Sequence, residues 1–302
     1  MTMSDKKLLD EKPLIDSYLK KGARPLSSFS FVSLFAWCDF FDFELKMISD
    51  SLCIFAHGDS GTFLYLPPLG IEPDPLTIEH VFRHMAQGGK PRAVNRIENI
   101  PGNLLSSFGL DRYNQYLKPA EYVYSKEDLI ALKGNAYKSQ RHDCNCFSTR
   151  HPAYSFETYT DGDFDACMTL YERWSAERSS TNSDEIYCSM LQENKLVHAR
   201  LLRFWKPLNL IVRVLRVDGT VVGYTLGFVL DEQTFCVYAE IADLKFSGSA
   251  AHMFRSFCAD PALVQYSRIN TMDDFAMPKV AQAKKAYHPS ELIKSYVVSI
   301  KV

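Results

Sequence analysis

The order of predicted elements from residue 154 to the end restricts the fold more than any other feature of the sequence. The apolar spacing changes between a period of two, typical of strands, and a period of three to four, typical of helices. Asp218-Gly219, between two apolar runs, predicts a tight hairpin turn. The predicted order is β-α-α-β-β-β-α-β-α-β. In chain order, we expect a strand at 154–159, helices at 163–178 and 183–205 (with Ser183 as the cap), strands at 208–217, 221–230 and 234–240, a helix at 248–258, a strand at 266–270, a helix at 278–287 and a strand at 293–300.

This order is similar to that of the Gcn5-related N-acyltransferase (GNAT) fold, an α+β fold that binds acyl-CoA. The resemblance implies that the fourth and fifth strands splay apart and that the next helix points its N-terminus at a pyrophosphate. The loop expected to bind that cofactor contains Lys245, Phe246, Ser247, Gly248, Ser249 and Ala250. Lys245 stands where the family usually has Arg or Gln. The alternative is an ordinary loop in which a glycine starts a helix.

The first half repeats this order of elements, so we expect two copies of one fold. The expected elements are helices at 28–37, 76–87 and 102–108 and strands at 43–48, 51–57, 62–66, 92–97 and 121–124, with Gly88-Gly89 ending the second helix. The tandem interpretation gives a degenerate N-terminal lobe at 1–124, a connector helix at 125–150 and a C-terminal lobe at 151–302 that carries the active site. Because no basic residue precedes Gly70 in the Pro67-Pro68-Leu69-Gly70 loop, we expect the first copy to have lost donor binding.

The connector carries basic side chains. Ser125, followed three residues later by Asp128, predicts a helix start. Lys133, Lys138 and Arg141 are the candidate residues for binding the phosphates of a nucleic acid. The alternative is a solvated linker helix.

Three blocks of sequence resemble the phosphatidylglycerol lysyltransferase C-terminal-domain-like family. They are Leu132-Lys133-Gly134 with Tyr137-Lys138, Arg141, Asn145 and Phe147; Ala239-Glu240-Ile241-Ala242-Asp243 with Gly248; and Ile269-Asn270 with Asp273-Asp274, Ala283-Lys284 and Tyr287-His288-Pro289. The resemblance implies two GNAT-like lobes, aminoacyl-tRNA as the donor and phosphatidylglycerol as the acceptor. Related Fem-type enzymes use peptidoglycan precursors instead.

Aminoacyl transfer needs a bound ester, a positioned acceptor and a stabilised oxyanion, but no nucleophile from the enzyme. Asp273 and Asp274 are candidates to orient or deprotonate the acceptor or to hold the donor's α-amino group, or they cap the next helix. Lys284 is a candidate to pair with a phosphate or to polarise the ester carbonyl, and the alternative is a lysine facing water.

The other three catalytic candidates lie on the same expected elements. Tyr287 is a candidate oxyanion donor, and His288 is a candidate proton carrier near neutral pH. The alternative for this pair is closure of the helix before Pro289. Glu240 ends the fourth strand and would face the splay, or it is a charge at a strand edge.

Charge and composition exclude several classes. The 34 basic and 36 acidic residues give a net charge of −2, which argues against a histone-like DNA binder. The sequence predicts neither a secretory signal nor a transmembrane segment, so we expect a soluble, cytoplasmic protein that contacts membranes peripherally. We expect the eight cysteines to be reduced. We expect no metal site, since His142, Cys144, Cys146 and His151 form only a weak ligand pattern.

Three functions therefore remain open. The first is a transferase that moves an amino acid from aminoacyl-tRNA to a lipid, peptide or small-molecule acceptor. The second is an N-acyltransferase that uses acyl-CoA. The third is a non-catalytic ligand- or RNA-binding module on a decayed transferase scaffold.

Overall fold

The chain forms two compact units in a computed structural model, which describes residues 3–21, 25–59, 61–70, 73–87, 95–108, 112–182 and 184–301. The first unit comprises Met1–Glu121, Asp273–Ala276 and Leu292–Val302. The second comprises Tyr122–Met272 and Met277–Glu291.

The first unit is built on a six-stranded mixed sheet. Its elements are α1 (Met3–Asp10), α2 (Lys12–Leu19), α3 (Phe31–Ala36), β1 (Asp42–Ile48), β2 (Ser51–Gly58), β3 (Gly61–Leu64), α4 (Pro75–Ala86), β4 (Arg96–Pro101), a 3₁₀ helix (Gly102–Phe108), β5 (Tyr113–Leu117) and the last strand of the chain, β13 (Ser295–Ile300). The sheet order is β1-β2-β3-β4-β13-β5, and the β3–β4 pair is parallel. Asp74 caps α4 by accepting the N–H groups of Leu76 and Thr77, so the apolar face of α4 starts in register with the sheet.

The second unit is built on a seven-stranded mixed sheet. Its elements are β6 (Glu121–Ser125), α5 (Lys126–Ala131), α6 (Lys138–Arg150), β7 (Ser155–Thr158), α7 (Phe164–Thr181), α8 (Glu185–Arg203), β8 (Ile211–Val217), β9 (Thr220–Val229), β10 (Thr234–Ala242), α9 (Ser249–Cys258), β11 (Arg268–Asn270), α10 (Pro278–Lys285) and β12 (Glu291–Ile293). The sheet order is β12-β6-β11-β10-β9-β8-β7, and the β10–β11 pair is parallel.

The two sheets share one topology, which confirms the expected α+β tandem fold. In each sheet an antiparallel meander leads to one parallel pair, and an antiparallel strand follows that pair. Asp218 and Gly219 form the predicted hairpin turn, with φ values of 49° and 75°.

The final strand does not belong to the lobe to which the sequence order assigned it. β13, expected in the C-terminal lobe, pairs with β4 and β5 in the first sheet. β6, expected in the N-terminal lobe, pairs with β11 in the second sheet. Val298 of β13 is completely buried in the core of the first unit, so apolar packing fixes this exchange.

Several local predictions also need adjustment. The strand expected at 92–97 is observed as β4, from Arg96 to Pro101. The sequence analysis did not predict α1, α2, β5 or β12. Gly88-Gly89 and Ser183 lie outside the described residues, and Asp184 is the residue whose side chain caps α8.

The connector is a packed part of the second unit. Ser125 caps α5, as its spacing to Asp128 predicts, by accepting the N–H of that residue at 3.3 Å. Arg255 of α9 donates to the carbonyl of Ile130 at 2.8 Å, which ties α5 to α9. None of the helices in the described part of the chain combines the length and apolar character needed to cross a bilayer.

Candidate active site

The parallel pair β10–β11 opens at its carboxyl end. The two strands pair only as far as Cys236 and Asn270, whereas β10 continues to Ala242 alongside β9. A register shift between Val237 and Ala239 marks a bulge just beyond the last pair. The divergence exposes one edge of β10, as a GNAT-like fold requires.

Glu240 lies on the part of β10 that extends past this opening. Its Cα is paired with that of Thr225 on β9. The Oε1 atom of Glu240 and the hydroxyl of Thr225 are both buried. Burial raises the pKa of Glu240 to about 8, although Thr225 and the charge of Lys284 act to lower it. The carboxyl group is therefore poised to exchange a proton near neutral pH.

Lys284 of α10 lies at the end of β11. Its ammonium group donates to the carbonyls of Thr271 and Met272 at 2.5 and 3.1 Å and lies 5.7 Å from the ring centre of Tyr122. The neighbouring hydroxyl of Thr271 is buried. We call Thr225, Glu240, Thr271 and Lys284 the splay cluster.

Tyr287 and His288 close the end of α10. Burial raises the pKa of Tyr287 above its ordinary value, so its hydroxyl stays protonated and able to donate. Its ring packs edge-on against Phe254, with ring centres 5.0 Å apart. His288 has a left-handed backbone with a φ of 51°, and its Nε2 donates to the carbonyl of Ala136 at 3.2 Å.

Asp273 and Asp274 form a strained turn between β11 and α10. Their carboxylates accept the N–H groups of Phe275 and Ala276 at 2.8 and 3.0 Å. Met272, Phe275 and Ala276 all have positive φ angles, between 52° and 62°. Left-handed residues that are not glycine cost backbone energy and concentrate at functional sites. The aspartates do not cap α10, whose N-cap is Met277.

The loop expected to bind a cofactor pyrophosphate makes internal contacts. Asp243 accepts the N–H of Lys245 at 3.0 Å and pairs with Arg173 at 2.6 Å, so it organises the turn. Lys245 is exposed, with its ammonium 3.7 Å from Glu177. The hydroxyl of Ser249 donates to the carbonyl of Asp243 at 3.1 Å, while Ser247 and Ala250 are exposed.

Gly248 brings α6 against the N-terminus of α9. It has a φ of 83°, and a Cβ at this position would lie 2.1 Å from the carbonyl oxygen of Asp143. Phe147 of α6 is also close, at 3.3 Å from that position. The absence of a side chain at Gly248 therefore allows close packing of α6 against α9. As a result, α6 occupies space beside the N-terminus of α9, where the GNAT resemblance predicts a pyrophosphate.

The basic connector residues differ in their roles. Arg141 donates to the carbonyls of Leu132 and Gly134, the latter at 2.6 Å, so its guanidinium group stabilises the connector backbone. Lys133 and Lys138 are exposed, and the described contacts place neither in an ion pair.

The candidate metal ligands do not converge. Cys144 is buried, whereas the sulfur of Cys146 contacts Nε2 of His142 at 3.3 Å on the helix surface. Across the described residues, His, Cys, Asp and Glu form no group of three able to hold a metal ion.

Sequence reasoning missed several residues at the site. Thr225 and Thr271 are polar residues in or next to buried strands, and their position in apolar runs was the available sign. Tyr137 was read only as part of the connector pattern and Gln140 was not a candidate, although both contact the residues that follow α10.

The fold and the opened strand pair place the chain in the class of GNAT-like domains. An acetyltransferase of the GNAT family from Colwellia psychrerythraea is similar, with a TM-score of 0.51 and 12% identity over 100% of this chain and 98% of that chain. The C-terminal domain of a putative lysylphosphatidylglycerol synthetase from Agrobacterium fabrum has a TM-score of 0.66 and 13% identity, over 99% of this chain and 93% of that one. A conserved protein of unknown function from Bacteroides thetaiotaomicron has a TM-score of 0.83 and 22% identity, over 97% of each chain.

The sequence itself identifies the family. The family model described as "Phosphatidylglycerol lysyltransferase, C-terminal" matches residues 21–299, so the chain belongs to this family. The expected resemblance is thereby confirmed. No curated protein matches the sequence.

Proposed function

We propose that this chain transfers an amino acid from aminoacyl-tRNA to a lipid acceptor at the splay cluster. The observation that carries the proposal is the buried carboxyl of Glu240, next to the opened strand edge and within the electrostatic reach of Lys284. Because aminoacyl-tRNA is a cytoplasmic substrate, the proposal places the protein in the cytoplasm at a membrane surface.

The proposed step balances without an enzyme nucleophile. A hydroxyl oxygen of the acceptor attacks the ester carbonyl carbon of the donor and forms a new C–O bond. The bond between that carbon and the tRNA ribose oxygen breaks. The protonated carboxyl of Glu240 gives its proton to the departing ribose oxygen and takes up the acceptor's proton, so it ends the step in its starting form. Lys284 and Tyr287 supply positive charge and a hydroxyl donor for the developing oxyanion.

The other proposed site residues have supporting roles. The strained turn that carries Asp273 and Asp274 would orient the acceptor or the donor's α-amino group, and His288 would fix the end of α10. Exposed Lys133 and Lys138 would contact the phosphates of the tRNA.

The packing of α6 at Gly248 argues against the acyl-CoA alternative. Phosphate binding at a helix N-terminus requires free N–H groups and open space. Here the N–H of Ser249 donates to the carbonyl of Phe246 at 2.9 Å, and the backbone of Asp143 lies against Gly248. Residues 245–250 would then support the site as a scaffold for α9.

A comparison of two adjacent lysines tests the proposal. The assay follows a radiolabelled amino acid from charged tRNA into lipid extracted from phosphatidylglycerol vesicles. Lys284→Ala is expected to lower transfer by about 100-fold, in line with losses on removing one donor to an oxyanion. Lys285→Ala, which changes an exposed neighbour, is expected to stay within about twofold of the unmodified protein.

The folded state of both variants is checked by their melting temperatures and circular dichroism. Equal transfer by folded Lys284→Ala would contradict the proposed site. Transfer to a peptide instead of a lipid would keep the site and change the acceptor. Absence of transfer by the unmodified protein would favour the non-catalytic binding module.

A further inference from the structure

Hydrogen bonds hold the end of α10, together with the ring of Tyr287, which packs against Phe254 just beyond the helix. None of the residues of this eight-residue helix is buried. A short helix with little apolar burial depends on contacts at its ends, because its last four carbonyls have no partner within the helix. The hydroxyl of Tyr124 donates to one of those carbonyls, that of Lys284, at 2.9 Å, and further donors reach the residues that follow the helix.

Side chains from the connector supply the donors to the residues that follow α10. The hydroxyl of Tyr137 donates to the carbonyl of Tyr287 at 3.1 Å. The amide of Gln140 donates to the carbonyl of Ala286 at 2.8 Å. Lys284, whose ammonium group belongs to the splay cluster, lies only two residues before Ala286.

A residue that follows α10 also contacts the connector. His288 donates to the carbonyl of Ala136, and its ring lies edge-on to that of Tyr137 with ring centres 5.1 Å apart. The segment 132–141, which we call the connector turn, therefore contacts three successive residues after α10.

The connector turn is itself rigidly held. Leu132 is completely buried in a left-handed conformation, with a φ of 46°. Arg141 closes the turn by donating to the carbonyls of Leu132 and Gly134. Because the connector turn is fixed at both ends, a displacement of the turn would also displace the residues after α10 that it contacts.

The same turn carries the two exposed lysines Lys133 and Lys138. We propose that Tyr137 and Gln140 are positioning residues for Lys284, and that phosphates bound at Lys133 and Lys138 are linked through the connector turn to the position of that lysine. This inference rests on the proposed aminoacyl transfer, because it assigns a nucleic-acid donor to the exposed lysines. In this proposal the hydrogen bonds donated by Tyr137 and Gln140 connect the two lysines to Lys284, and each bond can be removed by a single substitution.

The first test uses steady-state transfer with the full chain. Tyr137→Phe with Gln140→Leu removes both donors and keeps the size of both side chains. This double variant is expected to lower kcat by at least about tenfold and leave KM for charged tRNA within about twofold. Lys133→Ala with Lys138→Ala is expected to raise KM, weaken its salt dependence and also lower kcat, because bound phosphates then no longer act on the connector turn. Tyr154→Phe is the control, since Tyr154 contributes only ring contacts among those described.

The second test is hydrogen exchange without any substrate, which keeps the inference separate from the proposed function. In the double variant the amides of 284–288 are expected to exchange at least about tenfold faster, because two stabilising hydrogen bonds are lost. Adding uncharged tRNA is expected to slow exchange of these amides in the unmodified protein and not in the double variant.

The outcomes separate the two ideas. Unchanged exchange in the double variant would overturn the role of Tyr137 and Gln140, whatever the activity. Faster exchange with unchanged kcat would overturn the positioning of Lys284 and leave the proposed function intact. Absence of transfer by the unmodified protein would overturn both the proposed function and the linkage, while the exchange result would still show whether the turn holds α10.

Discussion

At the residue scale, Glu240 shows how a single buried group links fold and chemistry. Its position at the end of the fourth strand of the second meander was predictable from the sequence, because the period of two locates the strand end. Its cross-strand neighbour Thr225 was not predictable. Cross-strand pairing depends on the register of β9 against β10, and the bulge after Val237 shifts that register.

Glu240→Gln is expected to change how stability depends on pH. In the folded chain the carboxyl holds its proton up to about pH 8, whereas its ordinary pKa is 4.5. Between those values the folded state binds more protons than the unfolded state, so this group makes stability fall as pH rises. The variant has no such group and should lose that part of the decline. Urea unfolding at pH 5, 6, 7 and 8 measures the effect.

Glu232→Gln is the control for the loss of one negative charge, since Glu232 is exposed in the loop before β10. It should keep the pH dependence of the unmodified protein. Identical pH profiles for Glu240→Gln and the unmodified protein would show that the carboxyl of Glu240 is not held in its protonated form.

At the element scale, the glycine loop before α9 was predictable from the sequence, whereas the structural role of its glycine was not. The sequence placed a glycine loop before this helix, and the helix is there. The approach of α6 could not be derived, because helix packing depends on side-chain surfaces from a distant part of the chain. The structure therefore offers a second explanation for the glycine in residues 245–250, which is the packing of α6 against α9 and not the binding of a cofactor.

Gly248→Ala is expected to destabilise the second unit by more than about 3 kcal/mol, as large losses accompany a steric conflict with backbone. The added Cβ would meet the carbonyl of Asp143, and the backbone has a positive φ. Gly219→Ala is the matched control, because its φ is 75° and nothing lies within 4 Å of its Cβ position. It should cost only the left-handed strain of about 1–2 kcal/mol. Equal losses of unfolding free energy in the two variants would show that α6 does not press on Gly248.

At the scale of the whole molecule, the tandem order of elements was predictable and the exchange of strands was not. Apolar alternation identifies β6 and β13 as strands but does not say which sheet each one joins. The pairing of β13 with β4 and β5, and the packing of Val298 among residues such as Phe55 and Ile97, assign β13 to the first unit. The family therefore follows from sequence blocks, while the division into units requires the structure.

Val298→Ala is expected to lower the stability of the first unit by about 2 kcal/mol through lost burial and a residual cavity. Hydrogen exchange should become faster in β4 and β5, which flank β13. Val297→Ala on the same strand is the control, since Val297 is only partly buried and should have a smaller effect. Faster exchange confined to β10 and β11 would contradict the assignment of β13.

The most direct test of the account is a comparison of ligands by thermal shift on the unmodified chain. A ligand that binds the folded state at about 100 times its Kd adds about 2.7 kcal/mol of stability, which such a measurement detects. We expect stabilisation by aminoacyl-tRNA and none by CoA or acetyl-CoA, because α6 lies against the N-terminus of α9. Stabilisation by CoA alone would contradict the proposed donor.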